Sequence, residues 1–200
     1  SVARIASQVG PVDVIVVAGD LTTRGTPADV TAAVGAWSQL GPRLLAVAGN
    51  MDSPAIDLEL ERLGISVNGR CAHVGEVAFF GCSASPESIG TPYEIPESEI
   101  AARLERGYAA VPEGALAVCV PHAPPRGLVD GAYNGVHSGS RAVREFIERV
   151  QPLLVLCGHI HEARGQARLD KTLVVNCGEA RKGHYALVDL NAGTSTAQVF

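Results

Sequence analysis

The chain has 200 residues, enough for one domain with a sizeable core, and 46% of them are hydrophobic, which excludes a disordered polymer. A formal net charge of −5 argues against broad, non-specific nucleic-acid binding, which depends on many Lys and Arg contacts to phosphates. No apolar run approaches the ~20 residues that a membrane helix needs, and no stretch reads as a signal peptide or lipidation site, so a cytoplasmic location without a membrane partner is expected.

In chain order, Ser1–Val9 reads as the tail of a helix. Val12–Ala18 is a β-branched, apolar run of the kind buried on both faces of a sheet, and it ends at Gly19-Asp20. Thr26-Pro27 opens a helix that closes near Gly41-Pro42, because Thr caps well and Pro suits the first helical position. Leu44–Ala48 is a second buried strand ending at Gly49-Asn50, and Ser53-Pro54 starts a helix running to about Leu63. Ile65–Ser83 predicts a hairpin turning at Val74-Gly75, followed by a Pro-rich loop over Ala84–Pro96. A helix over Glu97–Tyr108 and the strand Ala115–Val120 lead to Pro121-His122. A loop over Ala123–His137, a helix over Ser140–Val150 and the strand Leu153–Cys157 lead to Gly158-His159. The strand-like stretches Gln166–Leu169, Leu173–Asn176, Tyr185–Val188 and Thr194–Phe200 close the chain. Alternating α and β first, then mostly β, suggests two sheets flanked by helices in one domain spanning residues 1–200. Five cysteines without a CxxC spacing read as small, reduced core residues.

Four of the apolar strands end in a side chain able to hold a metal: Asp20, Asn50, His122 and His159. Ligands gather outside the carboxyl ends of strands in α/β sheets, so four such residues in succession point to a site. Asp20, Asn50 and His159 each follow a glycine, which lets the chain turn sharply beside an ion. His159 and His161 are two apart, and in an extended segment both would point the same way. Carboxylate, amide and imidazole together suit Mn, Fe or Zn better than Ca. Two such ions clamp a phosphoryl group and lower the pKa of a bound water, and Asp20 is the natural carboxylate to bridge them.

The segments Val17-Ala18-Gly19-Asp20, Gly49-Asn50-Met51-Asp52, Pro121-His122-Ala123-Pro124 and Gly158-His159-Ile160-His161 resemble those of the calcineurin-like metallophosphoesterases, in order and over nearly the whole chain. The loop Pro-His-Ala-Pro-Pro looks most like the small, uncapped prokaryotic members. The resemblance implies a four-layer αββα sandwich of two mixed β-sheets. It implies a hydrolase cleaving phosphoester bonds with a metal-bound hydroxide at a dinuclear site. Asp20 would bridge both ions, Asn50, His122 and His159 would complete the second, and His161 would bind the first. Asp20, Asn50 and His122 are thus the catalytic candidates, acting through the ions they hold.

Two departures matter. The family begins with a strand ending in Asp-x-His, absent here, so only the second metal keeps its full set and this chain could retain one ion of the two. Three origins compete: a truncated start, upstream residues outside this sequence, or a gene without them. Ser1 with no initiator Met favours the first two. Without that strand, the edge beside Val12–Ala18 would invite pairing with another copy, making a homo-oligomer a candidate assembly. The second departure is Met51, where many relatives carry a proton-donating His; its absence favours phosphodiesters over monoesters. A catalytically silent binding or scaffold protein is the main rival reading, and a nuclease the lesser one. The expected substrate is a small phosphoester.

Other residues have ordinary readings beside sharper ones. Arg24 could grip a substrate phosphate, although a solvated loop arginine is the commoner case. His137 could contact substrate or replace the lost proton donor, against the reading of an ordinary loop histidine. Asp52 could orient a ligand or cap the helix after Ser53. His73 and His184 read as strand or edge residues, and Cys177 as packing.

Overall fold

A computed structural model describes residues 2–133, 135–191 and 193–200. After α1 (Val2–Val9), strands β1 (Val14–Ala18) and β2 (Arg43–Val47) pair in parallel, joined by α2 (Pro27–Ser38) and followed by α3 (Pro54–Arg62). The start of α2 is a capping box: the Thr26 side chain accepts from the Asp29 N–H, and the Asp29 carboxylate accepts from the Thr26 N–H at 2.8 Å. The predicted hairpin is β3 (Cys71–Val74) with β4 (Val77–Cys82). The Pro-rich loop holds a short parallel pair, β5 (Ser85–Pro86) and β6 (Glu94–Ile95). Then come α4 (Glu97–Tyr108), β7 (Leu116–Pro121), α5 (Arg141–Val150), β8 (Leu154–Cys157), β9 (Gly165–Leu169), β10 (Thr172–Asn176), β11 (Ala186–Asn191) and β12 (Thr194–Val199).

The large sheet has the order β3-β4-β7-β8-β10-β9, parallel through its middle and closed at each edge by an antiparallel neighbour. The β1-β2 pair and the β11-β12 hairpin form the opposing layer. Alternation of side chains along each strand sorts the core into two compartments. Leu45 and Val47 of β2 meet Phe79, Val118, Val120, Leu154, Leu173 and Val175 of the large sheet, so the two sheets share a dry interface. The residues between them in sequence face outward: Leu44 and Ala46 pack under Val30, Val34, Ile56 and Leu60 of α2 and α3. On the other side Phe80, Cys119 and Val155 pack under Ile100 and Leu104 of α4 and Phe146 and Ile147 of α5. The result is the helix–sheet–sheet–helix sandwich expected from the sequence. Phe80, Tyr108 and Phe146 meet ring to ring at 5.5–5.8 Å where α4 and α5 cross the sheet.

Cys82, Cys119 and Cys157 are buried free thiols, and burial pushes Cys82 up to about 12, as befits inert core residues. No helix among the described residues is long and apolar enough to cross a membrane. Among those residues β1 is hydrogen-bonded to β2 only, so its other edge has no strand beside it.

Candidate metal centre

The loops that follow β1, β2, β7 and β8 all emerge at the carboxyl ends of parallel strands, and each carries one of the predicted ligands. Two glycines set how closely they approach. A Cβ on Gly49 would lie 2.1 Å from Asp20 Oδ1 and 2.6 Å from His122 Cε1. A Cβ on Gly19, whose φ is +99°, would lie 2.2 Å from His122 Nδ1. Asp20 (φ 52°) and His159 (φ 65°) both adopt the left-handed conformation that L residues disfavour, so the surrounding contacts hold them there.

The side chains converge on Asn50, which is 6% exposed. Its Oδ1 lies 2.9 Å from His122 Nε2 and 2.8 Å from His159 Nδ1. Asp20 Oδ1 stands 3.7 Å from His122 Nε2 and accepts the Met51 N–H at 2.9 Å. His122 is buried, and its Nδ1 is 2.7 Å from the Ala18 carbonyl, an acceptor, so the proton sits on Nδ1. Nε2 faces the Asn50 oxygen. Burial, then the neighbouring His122 and His161, push His159 down to about 3, so it is a neutral imidazole. A carboxylate oxygen, an amide oxygen and two imidazoles gathered in this way form a mixed donor set that would fit a divalent cation.

Asp52 fastens these loops together. It is fully buried and accepts from the N–H groups of Gly49 (2.8 Å), Thr22 (2.9 Å) and Leu21 (3.1 Å) and from the Thr22 hydroxyl (3.0 Å). Burial raises its carboxyl pKa against the pull of these bonds. The carboxylate thus ties the Asp20 loop to the Asn50 loop, and it makes no hydrogen bond that caps α3. Arg24 is exposed, with φ 61°, and its backbone N–H donates to the Met51 carbonyl at 3.2 Å, which places its backbone beside the Asn50 loop.

Ile160 after His159 is extended, and His161–Ala163 then forms a 3-10 turn. His161 Nδ1 lies 3.6 Å from Glu179 Oε2, at the rim. Glu179 is held down at about 2, first by Lys182 and then by Arg181, whose nitrogens lie 2.9 and 2.7 Å away. Among the described residues no three His, Cys, Asp or Glu side chains form a ready metal-holding group; the inner cluster is centred on Asn50, and His161 is near enough to His159 to help push its pKa down. His137 Nδ1 lies 2.8 Å from the buried Asp130, in a loop tied to the His159 turn. His73 sits on the edge strand β3 beside Cys71, while His184 lies in the connection before β11, where its Nδ1 accepts the Glu179 N–H at 3.4 Å. Cys177 Sγ donates to the Cys157 carbonyl at 3.4 Å, a packing contact.

Sequence reasoning missed Glu179, Asp130 and Glu94. Glu179 follows a strand whose pattern fixes only its apolar residues. Asp130 precedes a glycine and reads as an ordinary turn.

Residues 96–198 match the profile of a family described as metallophosphoesterase, calcineurin superfamily. An uncharacterized protein of Methanocaldococcus jannaschii, MJ1162, is 29% identical over 170 residues, covering 82% of this chain and 76% of that one. The UPF0046 protein K07C11.7 of Caenorhabditis elegans is 30% identical over 125 residues, covering 62% of this chain and 39% of its own length. Among solved structures, TT1561 of Thermus thermophilus superposes with a TM-score of 0.72 at 20% identity, over 98% of this chain and 89% of that one. The phosphopantetheinyl hydrolase PptH of Mycobacterium tuberculosis superposes with a TM-score of 0.64 at 14% identity, over 90% of this chain and 85% of that one. These two likenesses are of fold.

Proposed function

Because the chain belongs to the calcineurin superfamily of metallophosphoesterases, we propose that it is a metal-dependent hydrolase of phosphoester bonds, with small phosphodiesters as its substrates. The observation that carries this reading is the convergence of His122 and His159 on the Asn50 oxygen, with Asp20 Oδ1 3.7 Å from His122 Nε2. Asn50, His122 and His159 would hold one divalent ion, Asp20 would reach both it and a second, and His161 would serve the second. Mn²⁺, Fe²⁺ and Zn²⁺ all suit this mixed donor set. Such ions supply a water of lowered pKa and positive charge against the phosphoryl oxygens.

The protein's own groups do the rest. The Ala18 carbonyl keeps the His122 proton on Nδ1, so Nε2 stays available as a donor atom. Asp52 and the two close-approach glycines hold the Asp20 and Asn50 loops in register. Arg24, an exposed residue whose backbone N–H donates to the Met51 carbonyl beside Asn50, would grip a phosphate oxygen. Met51 carries no proton to give a leaving group, which supports diesters and activated esters over alkyl monoesters.

One observation favours a second reading, a catalytically silent binding protein: His161 Nδ1 lies 3.6 Å from Glu179 Oε2, a carboxylate that competes with a metal for it. A single experiment separates the two. Metal content and hydrolysis of bis(p-nitrophenyl) phosphate with added Mn²⁺ are measured on the wild type and on His159→Ala. Bound metal and turnover in the wild type, both lost in the variant, are the expected result. Bound metal without turnover in the wild type would leave the binding protein, and turnover surviving in His159→Ala would refute the site.

A further inference from the structure

Three imidazole nitrogens of the inner cluster are already turned to protein oxygens. His122 Nδ1–H is committed to the Ala18 carbonyl, and its Nε2 and His159 face Asn50. Met51 has no acidic hydrogen, and the Tyr93 hydroxyl is buried, donating to Asp57 at 2.8 Å. Efficient cleavage of an ester with a poor leaving group needs a donor from the rim.

The loop between β7 and α5 supplies a built one. Asp130 is 1% exposed and its Oδ2 accepts the N–H groups of Gly127 (2.9 Å) and Gly139 (3.0 Å). Its other oxygen, Oδ1, takes the His137 Nδ1–H at 2.8 Å, and the Ser138 N–H donates to the Asp130 carbonyl at 3.1 Å. A Cβ on Gly139 would lie 2.6 Å from the Pro124 carbonyl oxygen and 2.9 Å from Asp130 Oδ2, so the loop closes around this carboxylate only with glycine there. His137 itself is 55% exposed, leaving the Nε2 edge toward solvent. A buried carboxylate that fixes one imidazole nitrogen and turns the other outward orients a base or acid for proton transfer.

The loop is also fixed against the turn that bears His159. The Asn176 side-chain amide donates to the Val129 carbonyl at 3.0 Å and to the Ile160 carbonyl at 2.9 Å, bridging the residue before Asp130 to the residue after His159. Asn176 is fully buried at the end of β10. A second tie runs from the Tyr133 N–H to Glu162 Oε1 at 3.1 Å. The charged groups nearest on these packed segments are Asp130 itself, Glu162 on the turn and Arg144 on α5, whose Nη1 reaches the Arg126 carbonyl.

We propose that the Asp130–His137 pair is the general acid of this enzyme, protonating the leaving oxygen of poor leaving groups from His137 Nε2. The proposal rests on the phosphoesterase reading and extends its substrates beyond activated diesters to alkyl phosphodiesters. As the attacking water oxygen bonds to phosphorus, the P–O bond to the alcohol breaks with its electron pair on the alcohol oxygen. That oxygen takes the Nε2 proton, the water's proton passes to solvent, and His137 regains a proton from solvent. Asp130 stays ionised and steadies the imidazolium.

The test compares the wild type and His137→Ala on two diesters, one losing p-nitrophenolate and one losing a simple alkoxide, with metal content and melting temperature measured on both proteins. The expected loss of kcat on the alkyl diester is about 10²–10⁴-fold, with a much smaller loss on the p-nitrophenyl diester and no change in bound metal. Equal losses on the two diesters, no loss on either, or loss of metal would each overturn the proposal. A folded, metal-loaded wild type that cleaves neither diester would overturn the phosphoesterase reading, and the acid with it. Asp130→Asn, where the fold survives it, is expected to reproduce the leaving-group dependence in weaker form.

Discussion

Asp57 is the deepest test of how the scaffold supports Asn50. It is 9% exposed and accepts three hydrogen bonds, from Ser83 Oγ (2.8 Å), Asn68 Nδ2 (2.7 Å) and the Tyr93 hydroxyl (2.8 Å), with Arg103 Nη1 3.8 Å away. Those donors lead directly to the site: Ser83 Oγ also accepts the Ala48 N–H at 2.9 Å, and the Tyr93 N–H donates to the Asn50 carbonyl at 3.1 Å. Asp57→Ala strands a hydroxyl, an amide, a phenol and a guanidinium in a buried space. Removing one partner of a buried charged network costs about 3–5 kcal/mol, a large share of the ~5–15 kcal/mol that separates a folded domain from its unfolded chain. Asp57→Asn keeps an acceptor for Asn68 and Tyr93 and can donate to Ser83 Oγ, so it is expected to lose only about 1–2 kcal/mol. Urea unfolding, analysed for both midpoint and slope, measures the two variants. A loss of less than about 1 kcal/mol in Asp57→Ala, or equal losses in the two, would refute the view that this carboxylate organises the network.

Two further outcomes follow from contacts described above or adjoining them. Gly49→Ala places a methyl 2.1 Å from Asp20 Oδ1 and 2.3 Å from the Asp20 backbone nitrogen. The variant should lose metal affinity and about 1–3 kcal/mol of stability; unchanged metal content by elemental analysis would contradict this. Glu94 accepts the N–H groups of Ser88 (2.8 Å), Ile89 (3.3 Å), Gly90 (3.2 Å) and Thr91 (2.9 Å) and both neighbouring hydroxyls. Burial pushes its carboxyl up, but the bonds from Ser88, Thr91 and Gly90 outweigh it and hold the pKa at about 2, below the ordinary 4.5. The sign follows from the depressed value: the stabilisation is complete above about pH 4.5 and is lost as pH falls toward 2. The stability gap between wild type and Glu94→Gln should therefore shrink on acidification through that window, and a gap constant with pH would rule the clamp out.

Much of the architecture was legible because its signals are local. Thr26-Pro27 and Ser140 announce α2 and α5, the Glu97–Tyr108 helix begins and ends where its pattern does, and β1, β2, β7 and β8 are short apolar runs punctuated by glycine or proline. The inner ligands were legible for a different reason, since each terminates such a run. What the sequence hid is what depends on turns and on distant partners. His159 is left-handed and His161 opens a 3-10 turn, a local conformation that the apolar pattern of the preceding strand does not announce. Asp130, Asp57 and Glu94 look like surface carboxylates in a string of letters; each is enclosed by donors up to 36 positions away or by a loop folded back on it. Asp52 was ambiguous between cap and support until its bonds to Leu21 and Thr22 placed it between the loops.

The span of the chain between site partners has a consequence for how the protein is made. His122 meets Ala18 across 104 positions, and His159 meets Asn50 across 109. A chain leaving the ribosome exposes Asp20 and Asn50 long before either histidine exists, and domains fold from the first-made end at ~5–20 residues per second. During that interval the early loops offer only oxygen donors, which discriminate poorly among the abundant ions of the cell. The imidazoles that would confer preference for a transition metal arrive last. On the proposed site, selection of the ion would be deferred until synthesis has passed β8, which carries His159 at its end.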